Sequence, residues 1–434
     1  MANSSNSVNS NDFSGGYTEA DFENMSEERF REVSKDWFVP DNHVIDTSNN
    51  KSDGLDKCPK CGSAEIRYNP DLSALQCLFC RNTWNEGNAD KLFGFDSNIR
   101  KLIGQTSGSG AGDITVDDKT VTIKCQGCGA EVVVSVDRSL QARCHWCRQT
   151  LSVNTQIPNG AVPDAILPFT VKHGEAVEAI TEFVNKRKMF AWGKFKKEFE
   201  PNNVVGVYMP YMMIDGNLTG EVTGIGEHET SRYTVTVGSG DNKRQETRYD
   251  ADVYSIGRKF NYTVDDLTTE SNSQRADMDV KKNTNNILNA VLPFDTKNAV
   301  AYNSNYMTDF TSEKRDLNID AIDDRVVDQF LSIARAKATD TADFYDRGVR
   351  WETEGVAIHG TRWVAVYLPV WVYSYYVNKG NGNTFIHYVA VNGRSKKTMG
   401  SVPVSHPKLF IVSSIAAITT FFGTAATIWG GAIF

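Results

Sequence analysis

Eight cysteines, all between residues 58 and 147, are the side chains of this sequence whose type and spacing could do chemistry. They form two copies of one pattern, in which each pair encloses two residues and fifteen residues separate the pairs. The first copy contains Cys58, Cys61, Cys77 and Cys80, and the second contains Cys125, Cys128, Cys144 and Cys147. A turn of this kind points both sulfurs at one ion, and a hairpin returns the second pair to complete a tetrahedron. We therefore predict two structural Zn²⁺ ions, because four thiolates leave no coordination position open for a reaction.

The two copies agree beyond their ligands. Gly62 and Gly129 follow the second cysteine of each first pair, where the chain folds back near the sulfurs and a side chain is unwelcome. Disulfides or idle buried thiols are one alternative, but unrelated cysteines would not fall into two identical units with none left over. An iron–sulfur centre is the other alternative, and the hairpin spacing of each set favours zinc over it.

The first copy resembles the transcription-factor-IIB-type zinc ribbon. The resemblance is carried by Cys58-Pro-Lys-Cys61-Gly62, by Glu65-Ile-Arg-Tyr68 and by Leu75-Gln-Cys77-Leu-Phe-Cys80. It implies a zinc-binding hairpin without implying a function, since ribbons of this type bind nucleic acid, protein or neither. We expect the hairpin tips to expose the side chains that contact a partner, namely Leu78, Phe79, His145 and Trp146.

The distribution of charge argues against nucleic acid as the main partner. The chain has 54 acidic and 46 basic side chains, for a formal net charge of −8. Residues 1–50 hold ten acidic and three basic side chains, whereas residues 51–155 hold twelve and thirteen. Two filled zinc sites would bring the second region to about −3, and a nucleic-acid-binding region usually has a clear basic excess. The N-terminus has no apolar run typical of a secretory signal, and free thiolates suit a reducing compartment.

Composition divides the N-terminal part of the chain into four segments. Residues 1–55 are predicted to form a disordered acidic arm. Zinc ribbon 1 is placed at 56–86 and zinc ribbon 2 at 121–153, with a linker at 87–120 between them. Within that linker the glycine- and serine-rich run at 104–112 is predicted to be flexible. The two ribbons would then move independently of each other.

The region after the ribbons contains one order of motifs twice, as repeat 1 (160–285) and repeat 2 (286–405). Each copy has Leu-Pro-Phe, then an amphipathic helix, then a strand with Val-Tyr, one apolar residue and Pro. The matched pieces are Leu167-Pro-Phe169 with Leu292-Pro-Phe294, and Val207-Tyr-Met-Pro210 with Val366-Tyr-Leu-Pro369. We interpret this order as a duplication. Because runs of strands accompany few helices, the predicted fold class is α+β, with a duplicated and mainly antiparallel domain.

This arrangement resembles a group of bacterial membrane-anchored zinc-ribbon proteins of unknown function, sometimes loosely labelled replication-helicase-like. The resemblance covers about residues 55 to 434 and is carried by Ile166-Leu-Pro-Phe169, Val207-Tyr-Met-Pro-Tyr211, Tyr367-Leu-Pro-Val-Trp371 and Tyr388-Val-Ala-Val-Asn-Gly393. The sequence lacks the G-x-x-x-x-G-K-[ST] phosphate loop that the helicase label would require. Some members of this group look like membrane adaptors that recruit scaffold proteins, and by analogy the resemblance implies an adaptor here without assigning a binding residue.

Residues 409–434 contain no charged side chain and are predicted to form one transmembrane helix, a tail anchor. As a helix they would measure about 39 Å, against about 30 Å for the hydrocarbon core of a bilayer. The four cations before this segment are Arg394, Lys396, Lys397 and Lys408. They predict a single-pass protein of the cell membrane with its N-terminal domains in the cytoplasm. Small residues recur every four positions from Thr419 to Gly431 and would permit a homo-oligomer through this helix. A buried core helix is the alternative.

Cations alternate with aromatic side chains between Lys186 and Lys197. This composition suits an anionic membrane surface or single-stranded nucleic acid, and the alternative is a solvated helix end whose aromatics cover a sheet. The sequence has no nucleophile elbow and no pair of histidines with three residues between them, so we predict no enzymatic activity. The predicted function is a membrane-anchored zinc-ribbon adaptor that binds a protein at the cytoplasmic face. A membrane-tethered nucleic-acid-binding protein, regulatory or replication-associated, is the alternative.

Overall fold

The computed structural model describes residues 42–45, 57–112, 120–125, 130–135, 143–146, 156–157, 162–238, 243–273, 290–378 and 384–430 of the chain. These residues contain sixteen strands and six α-helices, and thirteen of the strands belong to one mixed sheet. The other three strands form a small separate sheet. The fold class is therefore α+β, mostly sheet with few helices, as the sequence predicted.

The small sheet consists of β2 (Ile66–Asn69), β3 (Ala74–Cys77) and β4 (Thr83–Trp84). The large sheet consists of β1 (Asn42–Ile45), β5 (Gly104–Gly108), β6 (Thr120–Lys124), β7 (Glu131–Ser135), β8 (Gln156–Ile157), β9 (Ala165–Ile166), β10 (Val205–Val237), β11 (Arg244–Glu270), β12 (Val300–Ala301), β13 (Thr311–Glu313), β14 (Val349–Asn378), β15 (Thr384–Asn392) and β16 (Thr398–Gly400). The helices are α1 (Ala89–Phe93), α2 (Ser109–Gly112), α3 (His173–Arg187), α4 (Gly193–Glu198), α5 (Ile319–Thr339) and α6 (His406–Gly430).

Two long antiparallel strands, β10 and β14, form the centre of the large sheet. They pair from Val205 opposite Val372 to Gly226 opposite Val349. β11 pairs with the other edge of β10, and β15 pairs with the other edge of β14. Repeat 1 and repeat 2 therefore contribute neighbouring strands to a single sheet.

The Val-Tyr-x-Pro motifs of the two predicted repeats face each other across this strand pair. Tyr208 lies opposite Pro369, and Pro210 lies opposite Tyr367. Two copies of one unit related by a local twofold axis would give this register, although the duplication itself remains a prediction.

Both faces of the central strands are covered, because alternate side chains point to opposite sides of a strand. One face carries Met209 and Leu368, which pack in a core with residues of α1, β6 and β7. The other face carries Tyr208, which packs with residues of α3, and Ile214, which packs with residues of α5. α3 and α5 thus cover the same face of the sheet at different places along β10.

β10 and β11 continue past the end of β14 as a two-stranded hairpin arm. β10 has 33 residues, or about 110 Å of extended chain. Pairing with β14 ends at Gly226, whereas pairing between β10 and β11 continues to Val237 opposite Arg244. The side chains of this outer part are mostly exposed, including Tyr233 and Tyr249. Main-chain hydrogen bonds, rather than burial, therefore hold the outer arm together.

The prediction of a flexible linker at 104–112 is wrong. β5 pairs in parallel with β14, and α2 follows it directly. The Gly110 N–H donates to Asp164 Oδ1 at 2.6 Å, and the Gly110 carbonyl accepts from the Arg315 guanidinium. A Cβ on Gly108 would overlap the Asp164 carboxylate. The glycines therefore serve the close approach of main chain to buried charged groups and not flexibility.

The predicted disordered arm at 1–55 contains β1, which pairs in parallel with β5. The prediction is wrong for these four residues, because the edge of β5 offers main-chain donors and acceptors that an extended segment can satisfy. The rest of that arm lies outside the described residues.

α6 contains most of the predicted tail anchor, of which residues 431–434 lie outside the described part of the chain. Its large apolar side chains between Leu409 and Ile418 are exposed. Among the residues that the structure describes, no helix is both long and apolar enough to cross a membrane.

Candidate metal centre

The first four cysteines lie in two matching turns joined by the small sheet. Each turn closes with the same main-chain hydrogen bond, since Gly62 N–H donates to the Cys58 carbonyl at 2.9 Å and Arg81 N–H donates to the Cys77 carbonyl at 3.0 Å. Gly62 and Arg81 both have a positive φ, +74° and +60°. Glycine adopts this conformation freely, whereas arginine does not. The β2–β3 hairpin brings the two turns together, so local sequence fixes the geometry of the centre.

The four sulfurs are arranged as a zinc ion requires. All four lie within 4.8 Å of one another, with Cys58 Sγ 3.6 Å from Cys80 Sγ and Cys61 Sγ 3.7 Å from Cys77 Sγ. Zn–S bonds of about 2.3 Å in a tetrahedron place neighbouring sulfurs about 3.8 Å apart. A set of four thiols with no other donor type suits zinc and excludes hard cations such as Ca²⁺ and Mg²⁺. This cluster can therefore hold one metal ion such as zinc, in agreement with the prediction.

Main-chain donors prepare two of the thiols for metal binding. The N–H of Cys80, 3.5 Å from Cys77 Sγ, and then the N–H of Phe79 lower the pKa of Cys77 to about 7. Burial raises the pKa of Cys58, but the N–H groups of Lys60 and Cys61 outweigh it and the net shift is downward. An N–H of Ser63 lowers the pKa of Cys61, yet desolvation and hydrogen bonds to the other three thiols raise it to about 12. A bound ion must displace the Cys61 proton, so metal affinity rises with pH.

A buried tyrosine attaches this hairpin to the large sheet. Tyr68 Oη donates to the Phe169 carbonyl at 2.5 Å, across 101 positions of sequence. Burial raises the pKa of Tyr68 to about 12, so the phenol stays a donor at neutral pH. The Tyr68 ring also lies 5.2 Å from the Tyr306 ring, centroid to centroid. Zinc ribbon 1 is thus docked on the sheet and does not move independently of it.

The second set of cysteines is only partly within the described residues. Cys125 and Cys144 are buried in the core beneath the sheet, and Cys125 N–H donates to the Ala130 carbonyl at 2.8 Å. Cys128 and Cys147 lie outside the described residues. The second zinc ion therefore remains a prediction.

Zinc ribbon 2 is joined to the large sheet, which contradicts two predictions about it. β6 and β7 pair with each other, and Val133 of β7 lies opposite Ser312 of β13. The prediction that this ribbon moves independently is therefore wrong. Exposure of His145 and Trp146 at its tip is wrong as well, since each is 1% exposed. Both side chains bond to the buried Glu313 carboxylate, His145 Nε2 at 3.0 Å and Trp146 through its indole N–H, because this turn faces the sheet and not solvent.

The tip of zinc ribbon 1 has the exposure that was predicted for it. Phe79 is 76% exposed and Leu78 is 39% exposed. Phe79 stands between two cysteines of the metal cluster, so the turn that holds the metal also fixes the direction of this ring. Leu72, on the turn at the other end of the hairpin, is 54% exposed.

A second group of possible ligands, which the sequence did not signal, consists of Asp215, Asp265 and Asp266. Their carboxylates lie within 4.8 Å of one another. Burial raises the pKa of Asp215 to about 7, although the Asp266 N–H and the guanidinium of Arg362, 3.3 Å away, favour its ionised form. Because an internal guanidinium already supplies positive charge, we assign no ion to this group. Asp265 and Asp266 are neighbours in sequence, but Asp215 is on another strand, so no spacing rule could have brought the three together.

The cluster between Lys186 and Lys197 occupies the end of α3, the connection after it and α4 up to its last residue but one. Phe195 is buried and packs edge-on against Tyr375, as expected for an aromatic that covers the sheet. Trp192, by contrast, is 37% exposed. The cluster therefore contains both aromatic side chains that pack against the sheet, such as Phe195, and aromatic side chains that are exposed, such as Trp192.

The first cysteine cluster defines the class of site, a structural four-thiolate centre on a β-hairpin. Comparison with protein-family models, with curated proteins and with solved structures gave no match to the chain. The resemblances drawn from its motifs accordingly remain predictions.

Proposed function

We propose that this protein is a membrane-attached zinc-ribbon adaptor that binds a protein partner through the tip of zinc ribbon 1 and acts without catalysis. The observation that carries the proposal is the exposed Phe79 ring on the turn between Cys77 and Cys80, which the hydrogen bond from the Cys80 N–H to Cys77 Sγ closes. Binding energy at protein interfaces is concentrated in such anchors, and a preorganised ring loses little conformational freedom when it binds. Leu78 beside it enlarges the apolar contact.

Attachment to the membrane is proposed for α6. The described large apolar side chains on its first turns, from Leu409 to Ile418, are 38% to 73% exposed and lie on all sides of the helix. An exposed apolar surface of this extent is unfavourable in water and is typical of a segment that another apolar phase covers. The described residues of α6 do not by themselves meet the length and apolarity of a membrane span, so the proposal takes residues 409–434 together, which contain no charged side chain. We place this segment in a bilayer as a single-pass tail anchor with the N-terminal domains in the cytoplasm, where reduced thiols persist. Homo-oligomerisation through α6 remains a secondary prediction.

The partner proposal can be tested by site-specific crosslinking. A photo-crosslinking phenylalanine analogue is placed at Phe79 of the full-length protein in its own membranes, and at Phe344, which is 56% exposed, as the matched control. We expect a protein adduct at position 79 that is missing at position 344 and that the additional change Leu78→Ala weakens. Nuclease-sensitive adducts at position 79 would favour the alternative nucleic-acid-binding function, and no adduct at either position would remove the tip from the proposal.

The anchor proposal can be tested with charge placed in α6. Ile415→Glu together with Ile418→Glu should move the protein from the membrane pellet to the supernatant, since a carboxylate in the hydrocarbon region is costly. Ile103→Glu is the control, because Ile103 is an exposed isoleucine of the globular part. If both variants stayed in the membrane pellet to the same extent as the unaltered protein, the anchor would be contradicted.

A further inference from the structure

Two distant segments of the chain meet at the start of α6. Trp192 N–H donates to the Pro403 carbonyl at 2.8 Å, and Ser405 N–H donates to the Phe190 carbonyl at 2.8 Å. Ala191 and Val404 form an antiparallel bridge between these bonds. The segment between α3 and α4 is therefore fixed beside the first turn of α6, which begins at His406.

Three lysines gather at this junction. Lys188 lies close in sequence to Phe190, Lys408 lies close to Ser405, and the Lys196 N–H donates to the Trp192 carbonyl at 3.1 Å, so the hydrogen bonds between these segments bring the three lysines to one place. Desolvation and the charges of Lys408 and Lys188 accordingly lower the pKa of Lys196. Lys186 and Lys194, in the same segment, have acidic neighbours, whereas within the described part of the chain none of the three forms an ion pair. Like charges held together are unfavourable unless something negative offsets them. The protein as a whole is acidic, so this local excess of positive charge is unusual for the chain.

Exposed apolar side chains accompany the three lysines. Met189 is 62% exposed and Trp192 is 37% exposed. On α6 itself, Leu409 and Phe410 are 45% and 73% exposed. Tryptophan and lysine near the N-terminal end of an apolar helix are side chains that favour the boundary between lipid headgroups and acyl chains.

The cations that precede α6 in sequence are mostly engaged elsewhere. Arg394 pairs with Asp295 at 2.6 Å, and Lys396 pairs with Glu175. Lys397 donates to the Leu292 carbonyl. In addition to Lys408 on α6 itself, the positive charge beside this helix therefore comes from Lys188 and Lys196, which are more than 200 positions away in the sequence.

We propose that Lys188, Lys196 and Lys408, together with Met189 and Trp192, form a contact surface for the anionic headgroups of a phospholipid bilayer. This proposal deepens the proposed membrane attachment and rests on it for the orientation of the protein. The surface would hold the globular part against the bilayer in one fixed orientation, with α6 at its edge.

The test compares two lipid compositions with full-length protein. Binding is measured to vesicles of phosphatidylcholine alone and of phosphatidylcholine mixed with phosphatidylserine. The protein carries Ile415→Glu and Ile418→Glu, so that insertion of α6 does not mask surface binding. Lys188→Gln with Lys196→Gln is added to one sample, and the control Lys101→Gln with Lys337→Gln, two exposed lysines elsewhere on the surface, is added to another. Each lysine near such a surface contributes about a fivefold change in affinity.

We expect binding to the anionic vesicles only, weakened about 30-fold by the first pair of changes and by high salt, and unaffected by the control pair. Equal binding of the two lysine variants would overturn the proposed surface while leaving the α6 anchor intact. The unaltered protein is also tested on the neutral vesicles. If it does not attach to them while binding to anionic vesicles still depends on the lysines, the anchor is refuted and the surface is retained. Binding of the same variants to single-stranded DNA is measured in parallel, and its loss with unchanged vesicle binding would assign these lysines to nucleic acid and refute the lipid proposal.

Discussion

Tyr68 donates a buried hydrogen bond to the carbonyl of Phe169, and this contact links the zinc-ribbon hairpin to the Leu-Pro-Phe motif that follows β9 of the large sheet. Tyr68 is 2% exposed and Phe169 is fully buried. The hairpin that presents Phe79 is therefore oriented by the sheet as well as by its metal ligands.

Replacing Tyr68 with phenylalanine should separate docking of the ribbon from metal binding. The change leaves the Phe169 carbonyl without its phenolic donor, at a penalty of about 1–3 kcal/mol in the free energy of unfolding. Zinc content should not change, because no ligand is touched. Denaturant unfolding and metal analysis measure the two quantities. Tyr233→Phe is the control, since the Tyr233 hydroxyl bonds to Asp250 on the exposed arm, and an equal effect of both changes would contradict this role of Tyr68.

Removal of one ligand should empty the first metal centre. Cys77→Ser is expected to lower the zinc content by about one ion per chain, because three thiolates bind far more weakly than four. Amide protons of β2 and β3 should then exchange faster, while those of the β10–β14 pair keep their protection. Unchanged zinc content would show that these cysteines do not hold the metal.

The two turns of the metal centre should respond oppositely to substitution after their second cysteine. Arg81 adopts a positive φ, so Arg81→Gly should leave stability unchanged or raise it by up to about 1 kcal/mol. Gly62→Val should lower stability by a similar amount or more, because a branched side chain is strained there. Thermal unfolding of the zinc-loaded protein measures both, and a loss of stability in Arg81→Gly would mean that the arginine side chain has a role of its own.

Glycines of the supposed linker should be intolerant of even one added carbon. Gly108→Ala would force the Asp164 carboxylate to move and should destabilise the protein by about 1–3 kcal/mol. Gly174→Ala is the matched control, because a Cβ on Gly174 meets nothing within 4 Å in α3 and alanine favours a helix. The control should gain about 0.5–1 kcal/mol. If both changes were neutral, the close packing of β5 against Asp164 would be refuted.

The buried carboxyl of Asp215 should make stability fall as pH rises. Burial raises the pKa of Asp215 in the folded state from the ordinary 3.8 to about 7, so the folded state keeps a proton that the unfolded state has lost. The stability contributed by this group is complete at low pH and decreases between about pH 4 and about pH 7. Asp215→Asn does not titrate, so the difference in unfolding free energy between the two proteins should shift in favour of the variant over that interval. A constant difference would show that Asp215 ionises normally.

The sequence by itself determined the first metal centre. Cys58, Cys61, Cys77 and Cys80 are brought together by two tight turns and one short hairpin, which local main-chain geometry encodes. The same holds for the fold class, since alternating strands and a few amphipathic helices are local patterns. The position of Phe79 at the tip of a turn followed too, because its two neighbouring cysteines set the course of the main chain there.

Only the tertiary structure decided which tips and charges remain free. His145 and Trp146 occupy the same kind of turn as Leu78 and Phe79, yet they are buried because β7 pairs with β13 and brings Glu313 beneath them. Gly110, in a run that is typical of a linker, is fixed by Asp164 and Arg315 from distant segments.

The positive charge beside α6 was likewise hidden from the sequence. Of the cations that precede the helix, Arg394 and Lys396 are paired, and Lys188 and Lys196 join Lys408 through contacts between Trp192 and Pro403 and between Phe190 and Ser405. The spacing of residues along the chain determines the turns, hairpins and ligand sets that neighbouring residues can form. Burial and pairing depend on which distant strands lie side by side, and no local pattern contains that information.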